Sequence, residues 1–254
     1  MLDCRSLITN LFEEYSVASP AELSLEKIAY GESLIIDEAD LNGCIGKINF
    51  TKTTGLITVD KKNKLETQKR FTIAHEMGHF FNERDLIERK KYSCLNSDFF
   101  PNANNKREKD ANEFAAELLM YEKWFLEYVR GKKLEVKTLQ ETAAYFNVSL
   151  SAAAIRYSKI GKYPIAVILS KNGAVVWTSI NEYFPYKFVP KGYKVRETTG
   201  AYDFFKGKEM QTGADLVPVP AWFGSDFYGK SSKYLNEENF GMTNYSSVLT
   251  ILWE

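Results

Sequence analysis

His75, Glu76 and His79 stand in the order His-Glu-Met-Gly-His, and they include both histidines of the 254-residue chain. Two imidazoles four residues apart on a helix lie on one face, one turn apart, so both can offer a ring nitrogen to a single ion. Glu76, beside the first of them, is placed to take a proton from a water activated at that ion. The chemistry this spacing supports is hydrolysis of a peptide or amide bond at a Zn2+ site, the metal polarising the carbonyl. The competing interpretation is a pair of half-buried, hydrogen-bonded structural histidines. The gathering of the only two histidines into one motif weighs against it. So does Gly78, because a glycine within a helix costs about 1 kcal/mol relative to alanine and marks close approach by another element.

A catalytic zinc takes three protein ligands and keeps one position open. With no third histidine, the remaining ligand is a carboxylate or a cysteine, and residues 106–130 offer Glu108, Asp110, Glu113, Glu117 and Glu122. On a helix, Glu108 falls in line with Ala111, Asn112, Ala115 and Leu119, the stripe that must pack inward, whereas Asp110 and Glu117 point away from it. Asn112 is placed to hydrogen-bond a ligand. A first-turn acid is also what the helix dipole favours by itself, so these residues leave Glu108 as ligand and Glu108 as dipole partner side by side. Glu113, Glu117 and Glu127 fit a solvated face. Cys4, Cys44 and Cys94 are an odd set without a CxxC pair, which argues for reduced thiols rather than a disulfide framework or a cysteine zinc knot. Cys94, between the two segments, is the one thiol that could occupy zinc's open position. Tyr92, Tyr121 and Tyr145 are candidates for a side chain that assists the oxyanion.

The elements that must hold these groups follow from periodicity. Apolar residues at helical spacing predict helices over 5–17, 23–30, 65–81 and 106–130, with Gly131 as a stop. Short β-favouring runs at 33–37, 43–50 and 56–60 predict a small antiparallel sheet before the motif helix. An extended substrate could add to it along an open edge at 43–50 or 56–60. Two short helices within 138–157 form a helix-turn-helix-like pair. After Gly161 to Pro164 the character turns to β runs, with a hairpin at Lys171-Asn172-Gly173 and strands at 193–197 and 248–253.

The stretch Arg70-Phe71-Thr72-Ile73-Ala74-His75-Glu76-Met77-Gly78-His79-Phe80, followed by Glu108-Lys109-Asp110-Ala111-Asn112-Glu113-Phe114-Ala115-Ala116-Glu117-Leu118-Leu119-Met120, resembles the ImmA/IrrE family of metallopeptidases. The resemblance implies Glu108 as the third zinc ligand beside His75 and His79. It extends more loosely over roughly residues 20 to 160. Two departures are Tyr121, where the family often has proline, and Glu83, in a region where many members carry another histidine. Neither touches an expected ligand. The resemblance further implies a regulatory endopeptidase acting on a protein substrate, a helix-turn-helix repressor.

The expected fold is α+β: a zincin-like metallopeptidase domain over 1–136, the helix-turn-helix-like segment over 137–161 and a β-rich accessory region over 162–254. Its composition, 44% hydrophobic and 26% charged, is that of a globular chain rather than a disordered one. Lys+Arg 33 balance Asp+Glu 33, so no global positive field draws a polyanion, and nucleic acid is not expected as a direct ligand. The first residues lack the pattern of a signal peptide and no run approaches membrane-spanning length, which predicts a cytoplasmic protein. The rival is a DNA-binding regulator with Ser149 to Arg156 as recognition helix and zinc for sensing or structure, although Ala152, Ala153 and Ala154 give it few side chains to reach bases. The oligomeric state is not legible.

Overall fold

The structure, a computed structural model, describes residues 3–86, 89–94, 105–224 and 233–254, with 86 and 89–94 as backbone only. The chain forms two compact units, Met1–Tyr128 with Ala143–Ser149, and Val129–Thr142 with Leu150–Glu254.

In the first unit, helix α1 (Cys4–Glu14) starts where the Asp3 carboxylate accepts the Ser6 N–H, and it buries Ile8, Leu11 and Phe12. Helix α2 (Leu25–Gly31) is capped in the same way by Ser24, which accepts from Lys27. Strands β1 (Leu34–Ala39), β2 (Gly46–Thr51), β3 (Gly55–Asp60) and β4 (Arg89–Cys94) form a sheet in the order β1-β3-β2-β4. The expected antiparallel sheet is mixed, because β1 runs parallel to β3 while the other pairs are antiparallel. The geometry makes this cheap. The segment from β1 to β2 has only to cross the end of β3, about 10 Å for two strand spacings, where Asp60 and Lys61 donate N–H groups to the Ile45 and Ala39 carbonyls. The strands expected to offer an open edge do not: β2 lies between β3 and β4, and β3 between β1 and β2.

Helix α3 (Glu66–Glu83) packs on β2 and β3, over Ile48, Ile57 and Val59, and buries every residue from Thr72 to Phe80. Against it lies α4 (Lys106–Leu119), opened by the Asn105 side chain, which accepts from Arg107 N–H. The contact explains Gly78. A β-carbon there would sit 3.0 Å from both the Cα and the carbonyl oxygen of Ala111. The single helix expected over 106–130 is broken: Met120 leaves helical geometry at φ −133° and ψ 63°, and α5 (Glu122–Val129) follows. Its first N–H, on Glu122, is accepted by the Glu117 carboxylate at 3.1 Å. Glu117, expected on a solvated face, is therefore buried and spent on this cap.

Helices α6 (Val136–Phe146) and α7 (Leu150–Ile160) are joined through Asn147, in the left-handed conformation at φ 50°. The second unit is built on β5 (Ala166–Lys171) and β6 (Ala174–Ile180), whose turn places Asn172 and Gly173 at φ 50° and 77°, as the Asn-Gly hairpin signal predicts. With β7 (Asp215–Pro218), β8 (Tyr234–Met242) and β9 (Ser247–Trp253) they form a sheet in the order β6-β5-β9-β8-β7. The strand expected over 193–197 is reduced to one bridge between Lys194 and Ala174, followed by α8 (Gly200–Phe205). The core gathers Phe184, Tyr186, Trp222 and Phe223 around the sheet. Beneath it Glu237 of β8, 1% exposed, accepts hydrogen bonds from Gly200 N–H at 2.8 Å and the Trp222 indole at 2.9 Å.

Candidate metal centre

α3 runs unbroken through the motif, so His75 and His79 project from consecutive turns of its buried face. Their rings stand nearly perpendicular, at 86°, with the two Nε2 atoms 3.1 Å apart. The first turn of α4 brings in Glu108, whose Oε2 is 3.1 Å from His75 Nε2 and 3.3 Å from His79 Nε2. Among the described residues this is the group of three metal-ligating side chains, with all donor atoms within 4.8 Å of one another. Bond lengths of 2.0–2.2 Å in a tetrahedral site put neighbouring donors about 3.3 Å apart. The observed triangle therefore fits a small divalent cation, and two imidazoles with one carboxylate are a donor set such a cation accepts.

The protonation states agree with that use. Burial lowers the pKa of His75 from the ordinary histidine value despite the nearby Glu108. Burial opposes ionisation of Glu108, but the contacts with His75 and His79 outweigh it and hold the carboxyl well below the usual carboxylate range. Neutral imidazole and ionised carboxylate are the forms that ligate. Asn112 Oδ1 accepts from His75 Nδ1 at 2.9 Å. That bond puts the ring proton on Nδ1 and turns the Nε2 lone pair toward the triangle.

Glu76 is fully buried and its carboxylate lies against β2 at Gly46, where a β-carbon would come 2.7 Å from Glu76 Oε1. Behind His79, Glu83 Oε1 is 3.6 Å from Nδ1 and 3.0 Å from the Arg107 Nε that donates to it. Two residues at the site were not singled out from the sequence, Gly46 and Arg107; Glu83 was noted only as a departure expected not to touch a ligand, whereas its carboxylate faces His79 Nδ1 at 3.6 Å. Glu83 carried a signal in its i+4 spacing from His79, and Arg107 in its place beside Glu108. Gly46 carried none.

The other candidates lie elsewhere or outside the described side chains. The Tyr121 hydroxyl bonds Thr9 Oγ1 at 2.9 Å and its ring packs on Phe12 and Trp124. Tyr145 stacks on Tyr128 at 4.2 Å. Glu122 pairs with Arg5. The side chains of Tyr92 and Cys94 are outside the described residues.

The comparisons with known proteins bear on the same segments. A family model described as the IrrE N-terminal-like domain matches residues 43–158, which include α3 and α4 entire. The metallopeptidase ImmA of Bacillus subtilis (strain 168) is 30% identical over 135 residues, 52% of this chain and 73% of the relative. Among solved structures, a Mycobacterium tuberculosis transcriptional regulator matches 99% of this chain and 76% of its own, with a TM-score of 0.63 and 14% identity, a likeness of fold alone. An α+β chain with a convergent His-His-Glu triangle, a matching family model and an ImmA relative this similar belongs to the ImmA/IrrE family of metallopeptidases.

Proposed function

We propose that the chain is a zinc-dependent endopeptidase that cuts a regulatory protein, a helix-turn-helix repressor, with His75, His79 and Glu108 as metal ligands and Glu76 as general base. The observation that carries this is the convergence of His75 Nε2, His79 Nε2 and Glu108 Oε2, with a buried carboxylate at the position after the first histidine. Bound there, zinc would supply a Lewis acid that lowers the pKa of a water to about 7 and polarises the scissile carbonyl. The chain's own residues do the rest. The lone pairs of His75 and His79 are held toward one point, Glu108 adds the negative charge, and Glu76 takes the proton of the attacking water and passes it to the leaving amine.

Under this reading residues 1–136 are the zincin-like peptidase part, 137–161 a helix-turn-helix-like segment and 162–254 an accessory region. No helix among the described residues is long and apolar enough to cross a membrane, and a cytoplasmic protease fits a chain whose three cysteines include no CxxC motif. The name of the mycobacterial neighbour, a transcriptional regulator, keeps a DNA-binding reading in view. The side chains of α7 weigh against it. Arg156, the longest cation available for bases, is 7% exposed, and Ala153 and Ala154 are fully buried. A salt-dependent titration against duplex DNA separates the two readings.

The test is incubation of the full zinc-loaded chain with purified helix-turn-helix repressors from the same organism, followed by mass spectrometry of the products. Wild type should cleave at a defined bond, while Glu76→Gln keeps its zinc and loses at least about 10²-fold in rate. Equal cleavage by Glu76→Gln removes the assigned base, and failure of wild type to take up zinc removes the metal site.

A further inference from the structure

Resting on the metal site just proposed, we infer that Glu83 and Arg107 form an orienting arm behind His79, so that each imidazole is aimed by a different partner. Glu83 closes α3 one turn after His79, on the same face. It is 7% exposed, and a carboxylate is seldom buried that far unless charges or donors compensate it. The compensation comes from α4. Arg107 Nε donates to Glu83 Oε1 at 3.0 Å, and that same oxygen faces His79 Nδ1 at 3.6 Å.

The longer distance exceeds a hydrogen bond, so Glu83 acts on the ring through charge. A negative oxygen at this range in a buried site stabilises an N–H dipole pointed at it and repels a lone pair there. The proton of His79 is thereby kept on Nδ1, and the Nε2 lone pair is presented to the triangle. His75 reaches the same state through neutral Asn112 at 2.9 Å. The two arms differ in charge, and both anchor in α4: Arg107 is adjacent to the third ligand, Glu108, and Asn112 lies one turn beyond it. One short helical segment thus supplies a ligand and the aim of both others. Glu83 and Arg107 are positioning residues and take no part in the bond-breaking step.

A salt bridge that merely ties the end of α3 to the start of α4 predicts something different, and the two are separable. Zinc affinity of the full chain is measured by competition with a chromophoric chelator for wild type, Glu83→Ala, Glu83→Gln and Arg107→Ala. Thermal midpoints of the metal-free proteins are recorded in parallel. The orienting arm predicts a loss of about 10–100-fold for Glu83→Ala, a smaller loss for Glu83→Gln because an acceptor remains, and an intermediate loss for Arg107→Ala. Zinc affinities within twofold of wild type in the folded variants, with only the metal-free midpoints lowered, overturn it. If Glu83→Ala does not fold, the near-isosteric Glu83→Gln and the separate Arg107→Ala decide the matter. Absence of zinc binding by wild type would instead defeat the metal site itself, a result this titration distinguishes.

Discussion

Gly46 of β2 and Glu76 of α3 meet with no side chain between them. A β-carbon on Gly46 would lie 2.7 Å from Glu76 Oε1 and 2.4 Å from Thr72 Cγ2. The glycine is required for space, since its backbone is that of an ordinary strand residue. The strand backbone itself is therefore the wall against which the proposed base rests.

Gly46→Ala should lower kcat on a peptide that wild type cleaves by about 10–100-fold, because displacements near 1 Å at a reacting group have costs of that order. Zinc stoichiometry should not change. Thr72→Ser removes the methyl that the new β-carbon meets first, so the double variant should recover thermal stability while staying slow. Full activity in the double variant would show that the clash with Thr72, rather than displacement of Glu76, caused the loss.

The site was largely legible because its signals are local. The i, i+4 histidines, the glutamate between them and the stripe holding Glu108 and Asn112 are all patterns on single helices. What escaped notice depends on contacts across the fold. Gly46 matters only because α3 lies over β2, and Arg107 only because α4 brings it to Glu83. The same holds for the architecture. The run at β4, Arg-Lys-Lys-Tyr-Ser-Cys, is too charged to announce a strand but pairs with β2 along six residues. Strand β8 carries Asn236, Glu237, Glu238 and Asn239, all poor strand formers, and it forms because β9 pairs with it. The parallel entry of β1 beside β3 is a matter of strand order, which alternation along one strand does not encode.

Gly78→Ala should destabilise the metal-free chain. The substitution gains about 1 kcal/mol of helix propensity, but its β-carbon would stand 3.0 Å from backbone atoms of Ala111, which cannot swing aside. Overpacking of this kind costs about 1–3 kcal/mol, so the denaturant midpoint should fall. A raised midpoint would mean that α3 and α4 have room the structure does not show.

Chelation should lower the thermal midpoint of wild type and of Glu76→Gln, but not of His75→Ala or Glu108→Ala. A ligand present at a hundred times its Kd stabilises a native state by about 2.7 kcal/mol, and only chains with an intact donor triangle can gain it. A chelator response in Glu108→Ala equal to that of wild type would remove Glu108 from the ligand set.

Glu237 provides a pH test away from the metal. Burial pushes its carboxyl above the ordinary 4.5, against the hydrogen bonds from Gly200, Trp222 and Asn239. Between that value and the raised one, the folded chain keeps a proton that the unfolded chain has released, so stability falls as pH rises through this window. Relative to Glu237→Gln, wild type should gain stability as the pH is lowered from neutrality toward 4.5, read from paired thermal melts. The opposite slope would show that the three donors overcome burial.

Glu108 is the third residue of α4, whereas His75 and His79 sit deep within the 18 residues of α3. Helix ends fray and helix middles do not. The two imidazoles are thus held by helix on both sides, while the carboxylate depends for its place on the capped first turn of α4. A substitution that removes the Asn105 cap should therefore loosen the third donor while leaving the histidine pair in place.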